Sequence, residues 1–298
     1  MKYKFIDGLS PAERKELERS QRIKEEAFEG LRQYDKDKNL VYNLTVEGHT
    51  KAQTVESDFS IKILNELTFL EHNKNEGLWR FRLKELSYNL DKYNDPVIVQ
   101  VVEMSNLISG IYQELDFWVN SVGELQKINN REQIMKRWEK VRETLSYKHP
   151  LSSYEVIMAK EREMANKDLE MLNIRFIHFI HFYFFQFGRF KPQEHFTVVD
   201  MDRFGSGVQF SVAVDGIRKD EENKIHRRFS GNLNCDFKTI KAMSKAVKED
   251  YADVTYKIQA DYYSTGMVIE DAHFSFDERI GKSYSMYSNL HLELMDNG

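Results

Sequence analysis

The segment Phe176–Phe190, FIHFIHFYFFQFGRF, places eight aromatic residues in fifteen. So dense a run has to be buried, in a core or against another chain, and it constrains the fold more than any other part of the sequence. Its apolar part, Phe176–Phe187, is flanked by Arg175 and Arg189 and contains His178, His181 and Gln186. A bilayer span needs about 20 apolar residues, and ionisable groups within one are costly. The segment therefore reads as a core or interface helix, not a membrane span.

The remainder is ordered and charged. The chain has 298 residues and a net charge of −5, with only 14 Gly and 4 Pro, which points to long regular elements with few irregular loops. A sequence pI near 6.0 lacks the basic excess typical of nucleic-acid binders, so no nucleic-acid partner is expected. Cys235 is the single cysteine, which rules out an intrachain disulfide and a cysteine-based zinc site within one chain. The first twenty residues contain no apolar signal-peptide core, and the expected location is the cytoplasm.

Periodicity supplies the elements. Ser10-Pro11-Ala12-Glu13 has the signature of a helix start, and a largely polar helix is expected to about Gln33. Period-two alternation then puts Leu40, Tyr42, Leu44 and Val46 on one strand face, Phe59, Ile61 and Ile63 on another, and Trp79, Phe81 and Leu83 on a third. Asp95-Pro96 starts a helix to about Gly110, Leu115, Phe117 and Val119 share a strand face, and Asn129 or Asn130 caps a helix carrying Ile134, Trp138 and Leu145. Ser152 to Glu155 opens a helix that can run to Phe187, with a break near Asn166. Beyond it, strands are expected over Phe196–Met201, Val208–Val214 and Ile225–Phe229, with a tight turn at Asp215-Gly216. A helix over Asp236–Tyr251 and three alternating strands follow, the strands carrying Tyr256–Tyr262, Ala272–Phe276 and Met286–Leu294. The expected fold class is α+β: two domains, each an antiparallel sheet packed with one or two helices, joined by a long helix. The boundaries are an N-terminal helical arm at 1–38, a first domain at 39–150, a connecting helix at 151–191 and a second domain at 192–298.

No catalytic motif emerges. His178 and His181 share a helical face, but the helical zinc signature H-E-x-x-H is absent and no third ligand is evident. Asp200, Asp202, Asp215 and Asp220 read as strand-end and turn residues. Gly205-Ser206-Gly207 lies between strands, where no helix N-terminus backs a phosphate. Ser230 lacks a nucleophile elbow, and Cys235 has no histidine base assigned to it. No metal and no cofactor is expected. The aromatic helix supplies the interface candidates Phe176, Phe179, His181, Phe182 and Tyr183. The expected function is a non-catalytic cytoplasmic interaction protein, self-associating or serving a bacterial multi-protein complex such as a secretion or phage-like apparatus. The alternatives are a small-molecule binder with an apolar pocket between a sheet and its helix, or an enzyme without a readable motif.

Overall fold

The structure is a computed structural model. It describes residues 35–52, 55–90, 96–150, 152–175, 177–185, 187, 195–200, 208–219, 224–233, 241, 244–245, 253–266 and 268–295, with backbone alone for 52, 55, 96–102, 195–200, 208–219, 224 and 232–233. The helix expected before Gln33 and most of that expected over Asp236–Tyr251 lie outside these residues.

Eleven strands form the framework. They are β1 Asn39–Ala52, β2 Val55–Asn73, β3 Leu78–Leu90, β4 Glu114–Val119, β5 Leu125–Ile128, β6 His195–Asp200, β7 Val208–Lys219, β8 Lys224–Leu233, β9 Val254–Thr265, β10 Val268–Ile280 and β11 Tyr284–Leu294. The helices are α1 Pro96–Ser109, α2 Arg131–Lys148, α3 Ser153–Ala165, α4 Lys167–Arg175 and α5 His178–Phe185, with a 3-10 turn at Gly110–Tyr112. Antiparallel strands with packed helices make the protein α+β, as the alternation implies.

The expected pair of sheets is in fact one sheet. Its order is β5-β4-β3-β2-β1-β11-β10-β9-β8-β7-β6, so the two halves meet where β1 pairs with β11. That seam runs antiparallel from Tyr42 opposite Leu294 to Ala52 opposite Tyr284. Strand periodicity gives each half its faces but carries no information about which edges meet. The edge of β1 left open by β2 is covered by β11, which removes exposed backbone donors and acceptors from the middle of the molecule.

Two local expectations also change. Asp215-Gly216 is not a turn: β7 continues to Lys219, and the pairing with β8 shifts register between Val214 and Gly216, so the glycine marks a bulge. The long helix is three helices. Asn166 adopts an extended backbone between α3 and α4, and its Oδ1 accepts from the amides of Asp168 and Leu169, ending one helix and capping the next. Asn130 does occupy the N-cap of α2, without a side-chain cap bond. Its Oδ1 accepts from the Asp116 amide and its Nδ2 donates to the Glu114 carbonyl, tying the helix start to β4.

One face of the sheet is apolar and buried under α2–α5. The core includes Leu40, Tyr42 and Leu44 of β1, Trp79, Phe81 and Leu83 of β3, Leu115, Phe117 and Val119 of β4, and Tyr256–Tyr262, Phe274 and Leu290–Leu292 of the last three strands. Ile134, Trp138 and Leu145 are buried on α2 along the predicted stripe.

At the centre lies α5. Phe184 packs edge-on against Phe81 at 5.1 Å and Phe117 at 5.7 Å, and Tyr183 against Tyr42 at 5.5 Å. On its other side Phe182 meets Tyr262 and Phe274, each at 5.4 Å, and Phe185 meets Phe229 at 5.5 Å. One helix thus touches strands from β4 to β8. Eight strands laid flat span about 34 Å at roughly 4.8 Å spacing, against a helix diameter of about 10–12 Å. The sheet has to curl around the helix.

This settles how an all-apolar helix is covered. Phe179, Phe182 and Tyr183 are at most 2% exposed within a single chain. These interface candidates are core residues, because both halves of the sheet contribute to the wrapping. Phe176 lies outside the described residues, and His181 is half-buried against Phe185 and Phe274.

The β4–β5 turn seals the end of α5. Gly123 has φ +77°, and a Cβ there would lie 2.3 Å from the Phe184 carbonyl oxygen and 2.9 Å from Phe187 Cβ. Gly77, in the β2–β3 turn, has φ +65° and nothing within 4 Å. Gly77→Ala should cost only the left-handed backbone term, about 1–2 kcal/mol. Gly123→Ala adds overpacking of about 1–3 kcal/mol, for a total of roughly 2–5. Urea unfolding of the two variants tests this, and equal losses would place the turn away from the helix.

Candidate functional site

Between the sheet and the helices the packing leaves a cavity of about 330 Å³. Ile61, Ile63 and Leu83 of β2 and β3 form its floor, and Ile108 of α1, Ile177 and Phe179 line its roof. Polar groups converge on it from both layers: Asn65 and Glu85 from the sheet, Tyr112, Lys160, Asn173 and His178 from above. A mostly apolar recess with few, placed polar groups is the ordinary form of a small-molecule site.

Strand register builds the polar part of the floor. Asn65 on β2 pairs directly with Glu85 on β3, next to a bulge between Leu64 and Asn65, and Asn65 also pairs with Tyr42 on β1. All three therefore face the helices. Asn65 is 4% exposed, and among the described residues its Nδ2 has no hydrogen-bond partner. A buried donor left unpaired costs about 1–3 kcal/mol. Burial pushes the Glu85 carboxyl above the usual carboxylate range.

Across the cavity the charges are already paired. Lys160, 7% exposed, donates to Glu163 Oε1 and to the Tyr112 hydroxyl at 3.0 Å, and its ammonium lies 4.6 Å from the Tyr112 ring centroid. The Tyr112 hydroxyl donates to Glu163 at 3.2 Å. Burial, together with the Glu163 and Glu170 carboxylates, pushes the Tyr112 phenol far above its usual range, so it keeps its proton. Arg131 of α2 binds Glu170 of α4 at 2.7 Å and fixes the two helices behind the cavity. With Lys160 paired to Glu163, the sheet side of the cavity offers Asn65, whose Nδ2 is an unpartnered donor among the described residues, and Glu85, a donor when protonated. The cavity suits an uncharged, largely apolar molecule with a hydrogen-bond acceptor such as a carbonyl.

His178 and His181 both lie on α5. His178 lines the cavity and His181 packs on Phe274, and among the described residues no third metal-ligating side chain joins them. Ser230 lies within the strand β8, so no strand-to-helix elbow presents it. The side chains of Asp200 and Asp215, and the whole of Asp202, Gly205–Gly207, Asp220 and Cys235, lie outside the described residues. The residues missed by sequence reasoning, Asn65 and Glu85, do carry a signal. Each is the one polar residue in an apolar strand face: Phe59-Ile61-Ile63-Asn65-Leu67 on β2 and Trp79-Phe81-Leu83-Glu85 on β3.

No family model and no curated protein matches the chain. Among solved structures it is similar to one titled "Lipid-protein interactions in lipovitellin", at 13% identity and a TM-score of 0.49. The match covers 88% of this chain but 25% of that one, so the chain spans about a quarter of that structure's length. Among the described residues, no helix is long and apolar enough to cross a membrane.

Glu85 gives the cavity a pH signature. Its neutral form is favoured in the folded state, so its contribution to stability is full below the ordinary glutamate pKa and is lost as pH rises through the raised folded value. Glu85→Gln removes that loss. The variant should gain on the native protein as pH rises above the ordinary glutamate pKa, seen as a urea midpoint difference that grows with pH. A difference independent of pH would mean that Glu85 is fully solvated.

Proposed function

We propose that the protein binds a small, uncharged, mainly apolar molecule in the cavity between β2–β3 and the helices α1, α3, α4 and α5. The observation that carries this reading is Asn65, a residue that lines the cavity and whose buried Nδ2 has no hydrogen-bond partner among the described residues. A core position that needs only packing is filled at lower cost by leucine, its neighbour at position 67 on the same face. A polar group kept there at a stability cost calls for an explanation, and an occupant of the cavity supplies one. The acceptor of the ligand meets Asn65, and protonated Glu85 adds a second contact.

A second reading is assembly with another protein or with a second copy of the chain. Tyr147 and Tyr154, 88% and 67% exposed at the α2–α3 corner, favour it, since tyrosine is enriched at interfaces. The aromatic helix no longer supports it, because the chain's own sheet covers those rings. A cytoplasmic setting fits either reading, given the single cysteine and the charged composition.

Binding is tested with prodan, a neutral aromatic ketone whose emission reports an apolar site, and with native mass spectrometry for a retained molecule. The native protein should show saturable binding of the dye. Asn65→Leu should bind it more weakly while gaining about 1–3 kcal/mol of ligand-free stability, the cost of the unpartnered donor. No saturable binding and no retained mass would sink the proposal, as would a variant that binds equally well.

A further inference from the structure

The opposite, solvent-facing side of the sheet carries a second constellation. Asp271 and His273 stand two apart on β10 and project from the same face. His291 on β11 is the direct cross-strand partner of His273. Asp271 binds both rings: its Oδ2 lies 2.7 Å from His291 Nε2, and its Oδ1 lies 3.3 Å from His273 Nε2. The imidazoles stack parallel, 4.2 Å between centroids at 5°. One ligand atom from each of the three residues falls within 4.8 Å of the others.

We propose that Asp271, His273 and His291 form a binding site for a divalent transition metal of the zinc type. Zinc takes imidazole nitrogen at about 2.0–2.1 Å and carboxylate oxygen at about 2.0–2.2 Å, so its tetrahedral ligands lie roughly 3.4 Å apart. The two Asp271 distances need to change by less than an ångström to reach that spacing. Two imidazoles with one carboxylate suit zinc, cobalt or nickel, whereas calcium and magnesium favour all-oxygen sets. The rest of this face offers His–carboxylate pairs, such as His49 with Asp58 and His226 with Asp261, but no third ligand among the described residues.

Three protein ligands leave a coordination position open. Beside the cluster lies a depression of about 490 Å³, whose lining includes Thr45, Glu47, Gln259, Asp261 and Asn289 as well as His273 and His291. The open position faces solvent and this polar depression, so it takes water or the oxygen of a polar molecule. This differs in place and chemistry from the apolar cavity on the other face, and neither site depends on the other.

The test uses the full chain, stripped with chelator and titrated with Zn²⁺ by calorimetry and with Co²⁺ by visible absorption. One equivalent should bind, with cobalt bands showing nitrogen ligation. Because even outer-shell changes cost about 10–100-fold in metal affinity, His273→Ala and His291→Ala should each weaken binding at least tenfold, and Asp271→Asn should weaken it too. His49→Ala should leave it unchanged. The side chains of His273 and His291 are 61% and 40% exposed, so circular dichroism should show these variants folded. Absence of saturable binding would overturn the proposal, as would binding that survives both histidine substitutions.

Discussion

The burial of α5 is the interaction on which the rest of the structure depends. Its rings have partners on β1, β3 and β4 in one direction and on β8, β9 and β10 in the other. No flat sheet can satisfy all of these, so covering the helix and curling the sheet are one event. The β1–β11 seam belongs to the same event, because it joins the strands that lie over the middle of the helix. If the seam opened, water could replace its backbone hydrogen bonds, at a net cost of about 0.5–1.5 kcal/mol each. Each ring of α5 returned to water costs about 1.5–3 kcal/mol, with no comparable compensation. Ring burial therefore drives the closure, and the seam follows its geometry.

The cavity follows from the same arrangement. Where α5 sits directly on the sheet, rings fill the space. Toward the outer part of β2 and β3 the cover passes to α1, α3 and α4; the Arg131–Glu170 ion pair ties α4 to α2, and the Lys160–Glu163–Tyr112 cluster ties α3 to the 3-10 turn that follows α1. These contacts hold the roof at a fixed height over Ile61, Ile63 and Leu83, and the space beneath stays open. Alternation along β2 and β3 places the Asn65–Glu85 pair on the face beneath that space. Polar groups thus sit where the sheet is least covered and where an occupant can complete their hydrogen bonds.

Much of the fold was legible in the sequence, because alternation and capping are local. The buried faces of β1, β3, β4 and β9–β11, the stripe on α2 and the break at Asn166 all follow from neighbours along the chain. The joining of two sheets into one was not legible, since Tyr42 and Leu294 meet across the length of the molecule and β-edges carry no address. The covering of Phe179, Phe182 and Tyr183 by their own chain is hidden for the same reason. Of the two constellations, Asn65 and Glu85 stand out as polar breaks in apolar faces. Asp271 and His273 share one face of β10 at strand spacing, but two ligands alone do not make a site. His291 joins them only through register.

The central claim, that one helix makes a single cooperative unit of both halves, is tested by Phe182→Ala. Phe182 packs on Tyr262 and Phe274, in β9 and β10, whereas the three tryptophans, Trp79, Trp118 and Trp138, all lie in the first half of the chain. Denaturant unfolding is followed by tryptophan fluorescence and, in parallel, by amide hydrogen exchange in β9 and β10. The predicted result is a common destabilisation of about 3–5 kcal/mol in both signals. A tryptophan transition that stays at the native midpoint while exchange in β9 and β10 accelerates would show two independent units and contradict the account.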